Sequence, residues 1–99
     1  MAGDLCTVII AYEVNAEDAD RFMNAWQQAQ DFLKKQHGLT STTLYRAASA
    51  NPDFRFVNIA CWENADAFRK ATQSTGFIEA SGSLAPYPVH ASVYDVERS

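Results

Sequence analysis

The chain has 99 residues, 47% apolar and 20% charged, and twelve acidic against eight basic residues give it a net charge of −4. A chain of that length builds one small domain, residues 1–99, with one modest core, and the composition is that of a soluble globular protein. The lysines and arginines are scattered, which excludes the clustered cationic surface that nucleic acid requires, and no apolar run reaches the length of a membrane span.

The start, Met1-Ala2-Gly3-Asp4, lacks the basic and apolar stretches of a signal peptide, so a cytoplasmic location is expected. Residues 5–14 are rich in β-branched side chains and read as a first strand. One face carries Val8, Ile10, Tyr12 and Val14; the other carries Thr7, Ile9, Ala11 and Glu13. Asn15 stands where an N-cap belongs, with Glu17 and Asp18 in the first turn to favour the helix dipole. Over residues 16–37, Ala19, Phe22, Met23, Trp26, Ala29 and Leu33 recur at helical spacing, and Gly38 ends the helix as a left-handed cap. Trp26 belongs to that stripe, as a core residue or as one wall of a ligand site.

Residues 39–47 form a second strand, with Leu44 and Tyr45 on opposite faces. Asn51-Pro52-Asp53 marks the turn of a hairpin. The third strand, residues 54–62, alternates Phe54, Phe56, Asn58, Ala60 and Trp62 on one face. That face is aromatic and apolar apart from one carboxamide. An unpaired amide there costs a few kcal/mol, so Asn58 needs a protein partner, a water or a ligand. Asn64 then caps a short helix with Ala67, Phe68 and Ala71 as its apolar stripe. Ser74-Thr75-Gly76 interrupts it, and residues 77–81 read as a further short helix. Residues 82–88 form a loop with Tyr87 in a packed turn between Pro86 and Pro88, and residues 89–96 form the last strand.

The order is β-α-β-β-α-β. The expected fold is α+β and ferredoxin-like, a four-stranded antiparallel sheet with the helices on one face. Strands one and three are apolar at the centre of both faces. A lone two-layer domain leaves one of those faces bare, and an apolar patch of that size marks an interface. A homodimer packing sheet on sheet is therefore expected. Cys6 and Cys61 have no CxxC spacing and read as buried free thiols. His37 and His90 stand alone, so no metal site is expected, and no Gly-rich phosphate loop suggests a nucleotide cofactor.

Lys35-Gln36-His37-Gly38-Leu39 after the long helix, Asn58-Ile59-Ala60-Cys61-Trp62 with Glu63-Asn64-Ala65-Asp66-Ala67-Phe68, and the closing Tyr94-Asp95-Val96 together resemble the antibiotic biosynthesis monooxygenase family. The resemblance runs from about Cys6 to Val96, and it too implies a dimeric ferredoxin-like protein. It further implies oxidation of a small electron-rich aromatic by dioxygen with no metal, flavin or haem. The substrate carbanion itself reduces dioxygen, and the protein supplies a dry cavity, orientation and hydrogen bonds to the developing oxyanion. Asn58 and Trp62 match an Asn and a Trp four apart in that pattern. They are the candidate catalytic residues, Asn58 for the oxyanion and Trp62 stacked on the ring. Phe56, Phe68, Tyr12, Trp26 and His90 are candidates for the substrate wall.

The sequence departs from the pattern twice. Phe68 stands where the family carries a Tyr, and no Arg lies near Gly82. The haem-degrading branch of the family is implied even less, since its Asn, Trp and His would fall near Ile10, Ala71 and Ser81. Two other classes stay open, a non-catalytic module binding a small aromatic and an isomerase or cyclase moving a proton. For the latter, His90 is the neutral-pH base, with Glu13 and Asp95 behind it. A cavity free of ionisable groups favours an oxygenase or a binder, whereas His90 beside Asn58 favours proton transfer.

Overall fold

The computed structural model describes residues 5–99; Met1–Asp4, read above as lacking a signal peptide, lie outside the described residues. Strand β1 spans Cys6–Tyr12, and a 3-10 turn at Ala16–Asp18 leads into α1, Ala19–Leu33. Strands β2 (Leu39–Arg46) and β3 (Phe56–Trp62) follow, then α2 (Ala65–Thr72), α3 (Thr75–Ala80), a second 3-10 turn at Gly82–Leu84, and β4 (Val89–Tyr94). The sheet order is β2-β3-β1-β4 with every neighbour antiparallel, the ferredoxin-like arrangement expected from the sequence. No helix among the described residues is long and apolar enough to cross a membrane.

Alternation decides what is buried. Along β3, Phe56, Asn58, Ala60 and Trp62 are buried, whereas Val57, Ile59 and Cys61 are only half-covered. The register pairs Tyr12 with Phe56, Ile10 with Asn58, Val8 with Ala60 and Cys6 with Trp62, so these eight side chains share the helix-covered face. Two clusters fill the space beneath the helices. One joins Cys6, Val8, Ala60 and Trp62 to Ala71 of α2. The other joins Tyr12, Val14 and Phe56 to Phe22 of α1 and Tyr87 of the last loop. Phe22 stacks on Phe56 with centroids 4.7 Å apart and takes Tyr87 edge-on at 5.3 Å, which makes Tyr87 part of a packed turn. Ile10 packs against both clusters. Asn58, its cross-strand partner, stands where they meet.

The helix ends differ from expectation. Residues 16–37 are not one continuous helix. Asn15 makes no side-chain cap, the first turn is 3-10, and α1 begins at Ala19. At the far end Lys35 and Gln36 donate to the carbonyls three residues back, Phe32 and Leu33, which tightens the chain out of the α-helix before Gly38. Gly38 has φ +100°, and a Cβ there would lie 2.5 Å from the Cβ of Ala67. The turn thus needs glycine for its backbone and for the closeness of α2. Asn64 caps α2 through Oδ1, 2.8 Å from the Ala67 nitrogen, as its sequence position implies. Helix α3 begins at Thr75, two residues earlier than expected, because the Ser74 hydroxyl caps it at the Phe77 nitrogen, 3.2 Å away. Strand β3 begins at Phe56 rather than Phe54, whose ring turns aside onto His90.

The helices cover one face only. On the other, Ile9 lies opposite Ile59 and Ala11 opposite Val57, flanked by Tyr45 and Tyr94, which are 54% and 51% exposed. Cys61 belongs to this face and is partly exposed rather than buried, while Cys6 is buried beneath the helices; both thiols are free. Burial, with a smaller contribution from the Asp95 charge, raises the Cys6 thiol pKa.

Candidate functional site

A small cavity of about 60 Å³ lies between the sheet and the helices. Its floor is built by β1 and β3, with Ile10 and Tyr12 from the first and Asn58, Ala60 and Trp62 from the second. Its roof comes from Trp26, Gln30 and Leu33 of α1, Phe68 and Thr72 of α2, Phe77 of α3 and Leu84 of the second 3-10 turn. Five of the seven sequence candidates, Asn58, Trp62, Phe68, Tyr12 and Trp26, therefore converge on one enclosure.

Trp62 is 1% exposed at the end of β3. Its indole lies in reach of the turn at Gly38 and meets Phe68 edge-on. The chain returns this way because Glu63 donates its N–H to the Gly38 carbonyl at 2.7 Å and Asn64 starts α2 at once. Asn58 is 5% exposed, and its Oδ1 accepts a hydrogen bond from the Thr42 hydroxyl at 3.0 Å. No acceptor for its Nδ2 is found among the described residues. Among the described residues, Tyr12 is the only ionisable side chain in the lining. Burial pushes its pKa up to about 12, which keeps the phenol neutral.

Two candidates fall elsewhere. Phe56 is buried against Phe22 in the second core cluster and does not line the cavity. His90 pairs with Ala11 in the β1–β4 register, one residue out of phase with Tyr12 and Val89, so its side chain belongs to the open face of the sheet. There it contacts Glu13, Nε2 to Oε2 2.7 Å, and the ring of Phe54. Nothing brings His90 to Asn58.

Three polar residues at or beside the site were missed in the sequence, one of them Thr72, whose hydroxyl donates to the Phe68 carbonyl at 2.8 Å. Gln30 is 2% exposed in the roof, and Thr42 on β2 lies within reach of both carboxamides. The signal for Gln30 was available: it stands four residues after Trp26 and three before Leu33, within the apolar stripe. Thr42 shares the face of Leu44 by simple alternation, but the Thr-Ser-Thr-Thr run hid it as an ordinary strand former. Among the described residues, no group of three or more His, Cys, Asp or Glu side chains comes together as a metal site would require.

A sequence model of the antibiotic biosynthesis monooxygenase family matches residues 6–82, and the chain belongs to that family. The chain is similar to SnoaB, a cofactor-independent oxygenase from Streptomyces nogalater, with 26% identity over 97% of this chain and 96% of that one and a TM-score of 0.82. A candidate monooxygenase from Shewanella loihica superimposes with a TM-score of 0.86 at 24% identity, covering 97% of each chain. A dimeric protein of unknown function and ferredoxin-like fold from Bacteroides fragilis does so with a TM-score of 0.74 at 13% identity, over 93% of this chain and 96% of that one. The last two likenesses concern the fold alone. No curated protein matches the chain.

Proposed function

We propose that the chain is a cofactor-independent monooxygenase acting on a small, electron-rich and intrinsically acidic aromatic such as a hydroquinone, an anthrone or a catechol. The observation that carries this reading is the pairing of Asn58 with Trp62 in a buried cavity whose lining, among the described residues, holds no neutral-pH base. An isomerase or cyclase needs a positioned proton acceptor, and His90 lies on the other side of the sheet. An oxygenase of this kind needs none if the substrate ionises by its own acidity.

For a methylene substrate, the carbanion left by loss of one proton passes an electron to dioxygen, and recombination forms a C–O bond in a hydroperoxide. Loss of water then leaves a carbonyl. One oxygen atom stays in the product, the other leaves as water, and dioxygen is the sole oxidant. In this reading the Nδ2 of Asn58 donates to the substrate oxygen that carries the delocalised charge, and Trp62 supplies the flat wall on which the ring rests. Ligand cavities usually span about 300–1,000 Å³, so a cavity of about 60 Å³ must widen to take a ring. The floor is locked in the hydrogen-bonded ladder, so the helical roof is the side that gives.

The bare sheet face supports a homodimer packed sheet on sheet, and the relatives of this fold include a protein described as dimeric. The test of the chemistry is dioxygen uptake over a panel of anthrones, hydroquinones and catechols, with and without a chelator. Uptake matched to product and unaffected by chelation is expected. Saturable binding of these compounds with no uptake would assign the chain to the non-catalytic binding modules instead.

A further inference from the structure

Two polar side chains of the cavity, Gln30 and Asn58, are linked through Thr42 beside it, and the linkage has a direction. Gln30 on α1, Thr42 on β2 and Asn58 on β3 meet at the Thr42 hydroxyl, whose oxygen lies 3.0 Å from Asn58 Oδ1 and 3.4 Å from Gln30 Oε1. Gln30 and Asn58 are both buried. A hydroxyl has one proton to give, and the shorter contact takes it. Gln30 is then left with an oxygen facing an oxygen, while its Nε2 is buried with no partner among the described residues. A half-turn of the Gln30 carboxamide removes that conflict. Nε2 then donates to Thr42 Oγ1, and Thr42 donates to Asn58 Oδ1.

We propose that Thr42, backed by Gln30, is the positioning residue of this site, and that it restricts the site to ligands presenting an oxygen acceptor. An untethered asparagine offers a ligand either its C=O or its NH₂, because the amide can turn over. With Oδ1 held by Thr42, only the NH₂ is left for the cavity. The site thereby takes a phenolate, enolate or carbonyl oxygen and disfavours an amine or other donor at that point. Accepting a hydrogen bond at Oδ1 also draws charge from the nitrogen, which strengthens the N–H groups as donors. The ligand class rests on the oxygenase reading, in which the charged substrate oxygen is such an acceptor. The tether does not depend on turnover.

The test compares Thr42→Val, which keeps the shape and loses the hydroxyl, with Thr42→Ser, which restores it, in the full-length chain. Thr42→Ala is made as well, in case the valine does not fold. Heteronuclear NMR of the Asn58 side-chain amide, identified by its loss in Asn58→Ala, reports the tether directly. Its resonances should shift and exchange faster in Thr42→Val and return in Thr42→Ser. The second readout is the preference for para-nitrophenolate over neutral para-nitrophenol, followed by absorbance. Thr42→Val should lower that preference roughly tenfold or more, the size of a lost hydrogen bond to a charged group, with Thr42→Ser near the parent. Gln30→Leu should act in the same direction and less. Asn58 amide resonances that ignore Thr42→Val and Thr42→Ala overturn the proposal whatever binds. Resonances that respond, in a protein that takes up neither form of nitrophenol, uphold the tether and count against the oxygenase reading.

Discussion

The ring of Phe68 meets the indole of Trp62 edge-on, with centroids 5.9 Å apart and planes inclined at 65°. Strand β3 runs directly into the capped helix α2, which brings residues six apart into this contact, so the pair ties β3 to α2 and holds the indole along the cavity wall. Such an aromatic pair contributes about 0.5–1.5 kcal/mol beyond the area it buries. Phe68→Ala is expected to lower the unfolding free energy by about 2–4 kcal/mol, measured by urea denaturation. A loss below half a kcal/mol would mean that the indole is held by other contacts.

Asn58→Ala separates chemistry from packing. One hydrogen bond from Thr42 is lost, so stability should fall by about 1 kcal/mol. Turnover should fall about a hundredfold if the amide donates to the oxyanion. Dioxygen uptake per folded molecule is the measurement, and an unchanged rate would leave Asn58 a structural amide.

Gly76→Ala is expected to destabilise even though alanine is the better helix former. A Cβ at this position would lie 2.5 Å from a ring carbon of Phe32, which forces α3 away from α1. The overpacking costs about 1–3 kcal/mol, more than the gain of about 1 kcal/mol in propensity. A higher melting temperature for the variant would show that Phe32 swings aside freely.

Tyr12 makes stability depend on alkaline pH. Its folded pKa of about 12 lies above the ordinary 10, so the fold prefers the neutral phenol. The stabilisation is complete below the unfolded pKa of about 10 and is lost as pH rises through the folded value, to a total of roughly 2–3 kcal/mol. Spectrophotometric titration should show one of the four tyrosines ionising late, and Tyr12→Phe should remove that component.

The bare sheet face predicts the assembly. Sedimentation at micromolar concentration should give twice the chain mass of 11.0 kDa. Ile59→Lys, which places a charge opposite Ile9 on that face, should give the single chain. A parent protein that sediments as one chain would refute sheet-on-sheet packing.

Strand alternation carried most of what could be read in advance. Once Phe56, Asn58, Ala60 and Trp62 fall on one face, the covered side of the sheet and the ends of the cavity follow, and glycine or asparagine at positions 38 and 64 sets the turns. His90 was misplaced because its site depends on the register of β4 against β1, and register is a long-range property that local pattern does not contain. Gln30 and Thr42 were overlooked for a related reason. A polar residue within a stripe is conspicuous only when its partners, here 12 and 16 residues apart from Thr42, are known to meet it. The length of α1 was overstated because nothing in Lys34-Lys35-Gln36-His37 breaks a helix before Gly38, whereas the bonds of Lys35 and Gln36 already reach back only three residues.

The scarcity of charge in the cavity has a kinetic meaning. Across the neutral range no described side chain lining it changes protonation, since Tyr12 stays a neutral phenol and its neighbours are amides, a hydroxyl, indoles and hydrocarbon. Any inflection in a pH–rate or pH–affinity curve in that range therefore belongs to the ligand, and the midpoint of such a curve becomes a fingerprint by which an unidentified substrate can be recognised.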